Sequence, residues 1–446
     1  MKKIKQFFSS SNKELRKKLL FTFFCLFVFK LGTAIVVPGV NSNLNMGFLE
    51  LLNIMGGGAM QNFSIFALGV MPYITASIVM QLLQMDIIPY FSDLAKQGQT
   101  GRNKLNQITR VLGIVLAFVQ GYMFSFAFIP GGTVSDYMEV SLVLTAGTCL
   151  LLWIGDEITK KGLGNGTSMI IMAGILATTP HMFTVAWSSL VGGASNTAIG
   201  ALLFALFVIV YLIVVLGVLF VELAARRIPI QYANKTNNVF GSKKTYIPFK
   251  LNSAGVVPVI FASALISVPA LIAQFSKNEG MMKFVQKWLS LSSGTGFALF
   301  VIFILAFSYF YTFIVIKPKE MAEDLQKSGG YIPGIRPGDE TIKYVNKVLI
   351  RLTVVGSLAL ALVAGLPYVL SMVTSLPTTV SIGGTGLIIV IGVILDTYKQ
   401  IESSLISQNY KRRWYKWILL LSLLQRLVKG HFQIWFTKSM VFLIFQ

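Results

Sequence analysis

Histidine and cysteine are nearly absent from this chain, which has two of each among 446 residues. Cys25 and Cys149 both lie in apolar runs, so we expect neither a disulfide framework nor a thiol metal site. The sequence offers no histidine-based metal cluster and no grouping of serine, cysteine and carboxylate residues that would support catalysis. We therefore expect a protein that is not an enzyme and that binds no cofactor.

Charge is also scarce. Only 12% of the residues are charged and 54% are apolar, whereas about 25% are charged in an average soluble domain. This composition predicts a protein that crosses the membrane several times. The net charge of +21 would suggest nucleic-acid binding in a soluble protein, but here we favour cations that lie at one face of a membrane.

Long apolar runs are what the sequence does have. A helix needs about 20 mostly apolar residues to cross the hydrocarbon core. The first run continues without a small-residue cleavage pattern, so we interpret it as a retained span and not as a signal peptide. Ten runs qualify as spans, of which the fourth and tenth are short: 19–37, 64–84, 108–129, 140–155, 168–187, 199–221, 256–275, 297–316, 348–370 and 383–396.

Basic residues fall almost entirely on one side of these runs. The N-terminal tail, every second loop and the C-terminal segment together hold 34 of the 38 lysines and arginines. The opposite loops hold only Lys277, Lys283 and Lys287, and Lys30 lies inside the first run. Because basic loops stay in the cytoplasm, we predict ten spans with both termini in the cytoplasm.

The predicted spans have almost no ionisable residues away from their ends. Lys30 is the one clear mid-run charge, and a lysine can extend its ammonium towards the membrane surface. Ion and proton pathways usually need ionisable residues inside the membrane, so this pattern argues against a proton-coupled carrier. Neutral polar residues in the spans are interpreted first as partners in hydrogen bonds between helices.

The stretch FLELLNIMGGGAMQNFSIFALG, residues 48–69, is apolar but interrupted by Gly56, Gly57 and Gly58. It has no lysine or arginine and is too short before its glycines to cross a membrane. Non-helical backbone at membrane depth is tolerated only inside protein or along a cavity. The segment is therefore either an external loop or an element that folds back into the protein, and the residues alone do not decide between these.

Two of the predicted cytoplasmic loops, 222–255 and 317–351, are long and basic. The second contains SGGYIPGIRPG, residues 328–338, in which proline and glycine prevent a continuous helix around Arg336. Loops with a defined shape favour a docking surface, and the alternative is that their charges only set topology and contact lipid headgroups. The shorter motif GLGNGTS, residues 162–168, lacks the spacing and lysine of a phosphate-binding loop, so we predict a turn there.

Several long motifs resemble the SecY family, the pore-forming subunits of the bacterial protein translocase, and are typical of its Gram-positive members. The resemblance runs in order from about residue 15 to residue 408. Its main motifs are SIFALGVMPYITASIVMQLL (64–83), KQGQTGRNKLNQITR (96–110), GNGTSMIIMAGI (164–175), ARRIPIQYA (225–233), YIPFKLNSAGVVPVIFASAL (246–265), LQKSGGYIPGIRPG (325–338) and GGTGLIIVIGVILDT (383–397).

The resemblance implies an all-α polytopic membrane protein with ten transmembrane helices in two inverted five-helix halves. The N-terminal half would be residues 19–187, after a cytoplasmic tail at 1–18. The C-terminal half would be 199–396, followed by a cytoplasmic segment at 397–446. The family's pore lies between the halves and opens sideways to lipid between spans two and seven. A re-entrant plug helix would correspond to about 49–63, with Leu52, Ile54, Gly56, Gly57 and Gly58.

Further site residues follow from the same resemblance. Gln120 and Asn252 match polar positions at the lateral gate, where a hydrogen-bonded contact can hold the seam shut. Arg226, Arg227 and Arg336 match the docking loops. The family's narrow ring of branched apolar side chains falls on six isoleucines: Ile74, Ile78, Ile171, Ile175, Ile260 and Ile389.

The resemblance also implies partners. These are the SecE and SecG subunits, the SecA motor ATPase, the ribosome with its RNA phosphates, preprotein signal sequences and membrane lipids. The chain departs from the family after about residue 410, where a basic and aromatic tail continues to Gln446; we assign it no function. There are two rival interpretations: a specialised second SecY with few substrates, and a secondary transporter. The secondary transporter would need charged residues inside the membrane, which the predicted spans lack.

Overall fold

The computed structural model describes residues 13–38, 40, 53, 56–84, 88–129, 131–192, 197–232, 245–276, 279–289, 293–374 and 386–405. The chain divides into two compact units, Met1–Ile394 and Leu395–Gln446. Residues 395–405 are helical and are the described part of the second unit. The predicted C-terminal tail after 410 lies outside the described residues.

The chain is mainly helical. The first part of the chain contains α1 (Lys13–Gly32), α2 (Met71–Leu83), α3 (Pro89–Lys96), α4 (Gly98–Phe128), α5 (Val134–Lys161) and α6 (Gly166–Trp187). A π-helical turn at Ser188–Gly192 follows α6. The second part contains α7 (Thr197–Leu223), β1 (Ala225–Tyr232), β2 (Thr245–Lys250), α8 (Val257–Ser276), α9 (Glu279–Trp288), α10 (Gly294–Val315), α11 (Pro318–Lys327), β3 (Gly330–Tyr331), α12 (Asp339–Thr374) and α13 (386–405).

Six helices among the described residues are long and apolar enough to cross a membrane, namely α4, α5, α6, α7, α10 and α12. The chain is therefore a multi-pass membrane protein. Every one of the ten predicted spans contains helical residues. Helices α4 and α12 begin about ten residues before the predicted spans, because hydropathy detects only the apolar part of a helix that continues into a polar region.

The predicted span 64–84 is wrong in its first third. Ser64 pairs with Val36 in an isolated β-bridge, residues 65–70 form turns, and α2 begins only at Met71. Gly69 has a left-handed φ of 56°, which ends any helix there, and Pro72 lies in the first turn of α2, where proline is favoured. The 13 residues of α2 extend about 20 Å, less than the hydrocarbon thickness.

The expectation of an all-α protein also needs a correction. A three-stranded antiparallel sheet, in the order β2-β1-β3, joins the two loops predicted to dock partners. Strand β1 pairs with β2 from Ala225↔Lys250 to Ile230↔Thr245, and with β3 at Gln231↔Tyr331. Strand β1 alternates between buried isoleucines and exposed residues, which is the two-residue period of a strand with one covered face.

The motif GLGNGTS forms the predicted turn between α5 and α6. Asn165 caps α6, since its side chain accepts a hydrogen bond from the backbone N–H of Thr167 at 3.2 Å. The Thr22 hydroxyl of α1 accepts a hydrogen bond from the N–H of Leu163 at 3.0 Å. A Cβ at Gly166 would overlap the carbonyl of Gly155, so glycine permits the close contact between α5 and α6.

A hydrophobic core in the N-terminal part of the chain surrounds the segment 60–68. It combines this segment with residues from α4, α5 and the stretch after α1, and its members are Val37, Met60, Phe63, Ala67, Leu68, Ala117, Phe124, Phe128, Val140 and Leu144. Phe63 is fully buried and stacks on Phe128 with ring centroids 4.3 Å apart. It also has a φ of 41°, an unusual value for a residue with a side chain, which tertiary packing therefore imposes.

Candidate functional site

The six isoleucines of the predicted ring lie on four helices. Ile171 and Ile175 are one turn apart on α6, Ile260 lies on α8 and Ile389 on α13, and all four are buried. Ile74 and Ile78 are one turn apart on α2 and half-buried. The pairs spaced by four residues each form a single face of their helix.

Two observations show which of these helices touch in pairs. A Cβ at Gly386, near the start of α13, would lie 2.7 Å from Cγ2 of Ile175, so α13 and α6 touch at the level of the predicted ring. Helix α8 contacts both α2 and α4, the pairing expected where the family's seam lies. Four of the six isoleucines, Ile171, Ile175, Ile260 and Ile389, thus lie inside the protein. That all six surround one opening stays a prediction.

The glycine-rich segment is packed into the protein interior. Residues 56–70 are mostly buried and form turns, so the predicted plug helix is not found in this part of 49–63. A Cβ at Gly57 would lie 2.9 Å from Cα of Gly174 and 3.4 Å from Phe29. Gly58 lies near Thr178, also on α6. Leu52 and Ile54 lie outside the described residues.

This segment is therefore a direct neighbour of the ring positions. Gly174 precedes Ile175 on α6, and Gly57 needs its left-handed φ of 75° to approach it. The Lys30 ammonium of α1 donates to the Gly57 carbonyl at 3.5 Å. The one charge inside the first predicted span thus points to the same turn.

The predicted gate residues are not bonded to each other. Asn252 is 3% exposed, and its amide donates to Oε1 of Glu222 at 2.6 Å and to the carbonyl of Gly255 at 2.8 Å. Gln120 is half-buried on α4. The asparagine therefore joins the end of α7 to the turn before α8 and makes no bond across the seam to Gln120.

No pattern in the sequence singles out Glu222, which directly follows the apolar run 199–221. It is 6% exposed and lies in the last turn of α7, where the helix dipole disfavours an anion. The N–H of Leu251 donates to the carbonyl of Ala224 at 2.8 Å, which adds a backbone bond beside the Glu222–Asn252 pair. Burying a carboxylate costs free energy unless the group is hydrogen-bonded, so the short bond from Asn252 is needed to keep Glu222 in this position.

The predicted docking arginines lie on one surface element. Arg226 and Arg227 are exposed on β1, and the Arg227 guanidinium stacks over the Tyr246 ring of β2 at 4.9 Å. Arg336 is exposed in the turn that follows β3. The Tyr331 hydroxyl donates to Oε1 of Gln231 at 3.0 Å, so side-chain and backbone bonds both hold the two loops together.

The turn around Arg336 has a fixed shape. Gly334 and Gly338 have left-handed φ values of 82° and 100°, and the buried Thr341 hydroxyl donates to the Arg336 carbonyl at 3.0 Å. A hydrophobic core lies beneath the sheet and this turn, and its fully buried members are Ile228, Phe249, Ile332, Val345, Val348 and Leu349. The alternating isoleucines of ARRIPIQY are the sequence pattern that could have predicted strand β1. No comparable pattern in the loop 100 residues further on predicts strand β3 or its pairing with β1.

The described residues contain no group of three or more histidine, cysteine or acidic residues that could hold a metal ion. What they provide is a set of buried isoleucines on three helices, a buried glycine-rich turn against one of these helices, and an exposed basic sheet. These features define a class of protein: a multi-pass helical membrane protein with a buried apolar interior and an exposed basic sheet.

Comparisons with known proteins agree. The SecY family model matches residues 64–398. A protein translocase subunit SecY from Staphylococcus carnosus is 45% identical over 414 residues, which cover 90% of this chain and 96% of that protein. One from Halalkalibacterium halodurans is 46% identical over 415 residues, covering 89% and 96%. The chain belongs to the SecY family, and the resemblance read from its motifs, including their Gram-positive character, is confirmed.

Solved structures show the same fold at lower identity. The chain matches "The structure of a protein conducting channel" with a TM-score of 0.63 and 19% identity, covering 88% of this chain and 93% of that one. It matches Sec61 in the canine ribosome-channel complex from the endoplasmic reticulum with a TM-score of 0.63 and 18% identity, again covering 88% and 93%.

Proposed function

We propose that the chain is the central subunit of a protein-conducting channel in the cytoplasmic membrane. It moves unfolded preproteins outward and releases hydrophobic segments sideways into lipid. The observation that carries this proposal is the family membership, together with four buried ring isoleucines beside a buried glycine-rich turn. The chain supplies the path and is not itself an enzyme, so the energy comes from partners.

In this proposal the chain crosses the membrane ten times, with both termini in the cytoplasm. Residues 19–187 and 199–396 form the two inverted halves, and 222–255 and 317–351 are the cytoplasmic docking loops. The distribution of lysine and arginine supports the orientation. Six long apolar helices and two shorter ones, α2 and α8, support the multi-span architecture.

The isoleucines act as a seal. A collar of branched apolar groups dewets readily and offers an ion no ligand, so it blocks small solutes at rest. The same collar adapts around a passing chain, since it makes no sequence-specific hydrogen bonds. Segment 49–63 acts as the plug: the Gly57 turn lies against α6 and Lys30 holds its carbonyl, so opening requires this packed turn to leave α6.

The basic sheet is the docking surface for the SecA motor and the translating ribosome. Arg336 is held out by a turn of fixed shape, and a guanidinium suits bidentate contact with a carboxylate or phosphate better than an ammonium does. Contact with ribosomal RNA phosphates would depend strongly on salt. SecE and SecG complete the channel, signal sequences enter at the seam, and lipids receive the released segments.

The proposal is tested by crosslinking in vesicles. A photo-reactive amino acid replaces Ile78 or Ile260, and a secretory precursor is stalled during passage. We expect an adduct that requires both the precursor and the active motor. The matched control is the same replacement at Ile209, which is exposed on α7 and should give no precursor adduct. Absence of adducts at both ring positions, with a known translocase crosslinking in parallel, would contradict the channel function.

The same vesicles test the rival interpretations. A secondary transporter would give no adduct with a stalled polypeptide, since the charge-poor spans would then serve a small solute. A specialised second SecY would give adducts with a few precursors only, which a panel of unrelated precursors reveals. We expect adducts with unrelated precursors, because the ring offers no side chain that could select among sequences.

A further inference from the structure

Helix α9 lies at one end of a membrane span. Its last turn is tied to the first turn of α10, because the Thr295 hydroxyl lies 3.3 Å from the carbonyl of Lys287 and 3.2 Å from that of Trp288. Helix α10 is one of the candidate spans, so its first turn marks a membrane boundary. Trp288 is therefore held at the depth where the bilayer meets water.

Helix α9 and Leu289, which directly follows it, present three different strips. Val285 and Leu289 pack with Ala273 of α8, and Val285 is buried. Phe284 and Trp288 form the next strip; they are 58% and 49% exposed, and their ring centroids lie 6.5 Å apart. Residues four apart share a face of a helix. One strip of α9 thus fixes the helix to the protein and leaves an aromatic pair outside.

Two lysines form the third strip. Lys283 and Lys287 are one turn apart and exposed, and each directly precedes a residue of the aromatic pair. They are also two of the three lysines that lie in the loops opposite to the basic side of the protein. The positive-inside bias disfavours cations there, so topology does not account for them.

We propose that α9 rests on the membrane surface and binds anionic phospholipid. Phe284 and Trp288 lie in the boundary between headgroups and acyl chains, and Lys283 and Lys287 contact the phosphates of anionic lipids in the leaflet at which α10 begins. Aromatic residues are enriched at this depth, and an amphipathic helix binds a bilayer through its apolar strip and its cations together.

The partner fits by chemistry. Each basic residue close to an anionic bilayer strengthens its association by a factor of roughly five. The aromatic strip accounts for contact with any lipid, whereas the lysine strip adds the preference for a negative headgroup. This surface depends only on the membrane position of α10, so it stands or falls independently of polypeptide conduction.

The test uses the full chain in liposomes of equal phosphatidylcholine and phosphatidylglycerol. Benzoylphenylalanine replaces Phe284, an exposed aromatic position, and mass spectrometry counts the adducts with each lipid after illumination. Benzoylphenylalanine at Leu216, which is 65% exposed on α7, reports contact with lipid at a position without neighbouring lysines. We expect lipid adducts at both positions and an excess of phosphatidylglycerol adducts at position 284 only.

The variants separate the two strips. Lys283→Gln with Lys287→Gln should reduce the phosphatidylglycerol excess at position 284 to the ratio found at position 216, because the cations that favour the anionic headgroup are removed. The matched control is Lys343→Gln with Lys347→Gln, an exposed pair of the same spacing on α12, which should leave the ratio unchanged.

Two results would overturn the proposal. If position 284 gives no lipid adduct while Leu216 does, α9 faces water. If position 284 gives equal adducts with both lipids, and the Lys283→Gln/Lys287→Gln variant does not change the ratio, the lysines do not bind anionic headgroups. All of these substitutions are at exposed positions, so we expect each variant to fold. Elution in gel filtration checks the folding of each variant.

Discussion

The pair formed by Glu222 and Asn252 connects the sheet of β1, β2 and β3 to the helix that carries Ile260. It joins the end of α7 to the turn before α8, and β1 and β2 lie between its two partners in the chain. Asn252 also holds the Gly255 carbonyl, one residue before Val256 accepts the first bonds of α8. We predict that this pair contributes to stability as a unit and that its halves are strongly coupled.

The size of the effect follows from burial. Asn252→Leu removes the 2.6 Å donor to the buried Glu222 carboxylate, and loss of a hydrogen bond to a buried charged group costs about 3 kcal/mol. Glu222→Met removes the charge and leaves Asn252 bonded to Gly255, at about 1 kcal/mol. The double variant replaces both polar groups by apolar ones, so we expect about 1–2 kcal/mol and not the sum of about 4.

The assay is unfolding of the full chain in mixed micelles by titration with SDS. Ser253→Ala is the matched control, since the Ser253 hydroxyl donates to the Lys250 carbonyl at 2.9 Å in the same turn but does not touch Glu222. Its effect should add to that of Glu222→Met within about 0.5 kcal/mol. If the Glu222→Met/Asn252→Leu variant loses the full sum of the two single losses, the pair is not a unit and the reasoning is refuted.

Other predictions concern the glycine-rich segment and the surface. Gly57→Ala should loosen residues 56–60 from α6 at a cost of about 1–3 kcal/mol. The reason is that Gly57 has a positive φ and that a Cβ there would lie 2.9 Å from Cα of Gly174. Faster chemical labelling of a cysteine that replaces Met60 would show this loosening. Gly58→Ala, with no contact closer than 3.7 Å, should open the segment less, and equal rates would contradict the steric argument. Arg110→Met should change stability by about 1 kcal/mol or less, since its ion pair with Asp156 is partly exposed; a loss above about 2 kcal/mol in the same SDS titration would contradict this.

The membrane-spanning elements were largely predictable. Apolar runs located helices in all ten predicted positions, because hydropathy and helix length are local properties of the chain. The exception was 64–70, where Ser64-Ile-Phe-Ala-Leu reads like a span but packs in the core as turns. Apolar composition alone does not distinguish lipid-facing helix from buried irregular backbone.

For the candidate site, the sequence motifs identified individual residues but did not identify their bonding partners. Ile171, Ile175, Ile260 and Ile389 are buried, and their role as a constriction stays a prediction. The placement of Gln120 and Asn252 at a lateral gate stays a prediction; in this structure the Asn252 amide donates to Glu222 and Gly255. The docking loops were expected as basic and shaped, but their common sheet was not expected at all.

The sequence by itself determined the class of the protein, its apolar runs, its basic side and the positions of its turns. Each of these depends on neighbouring residues or on composition. Tertiary structure alone decided that Glu222 binds Asn252, that Gln231 meets Tyr331 across 100 residues, and that the Gly57 turn lies inside against Gly174. Such partners are brought together by packing between distant parts of the chain. A local sequence pattern does not show which buried polar groups will form a hydrogen bond with each other.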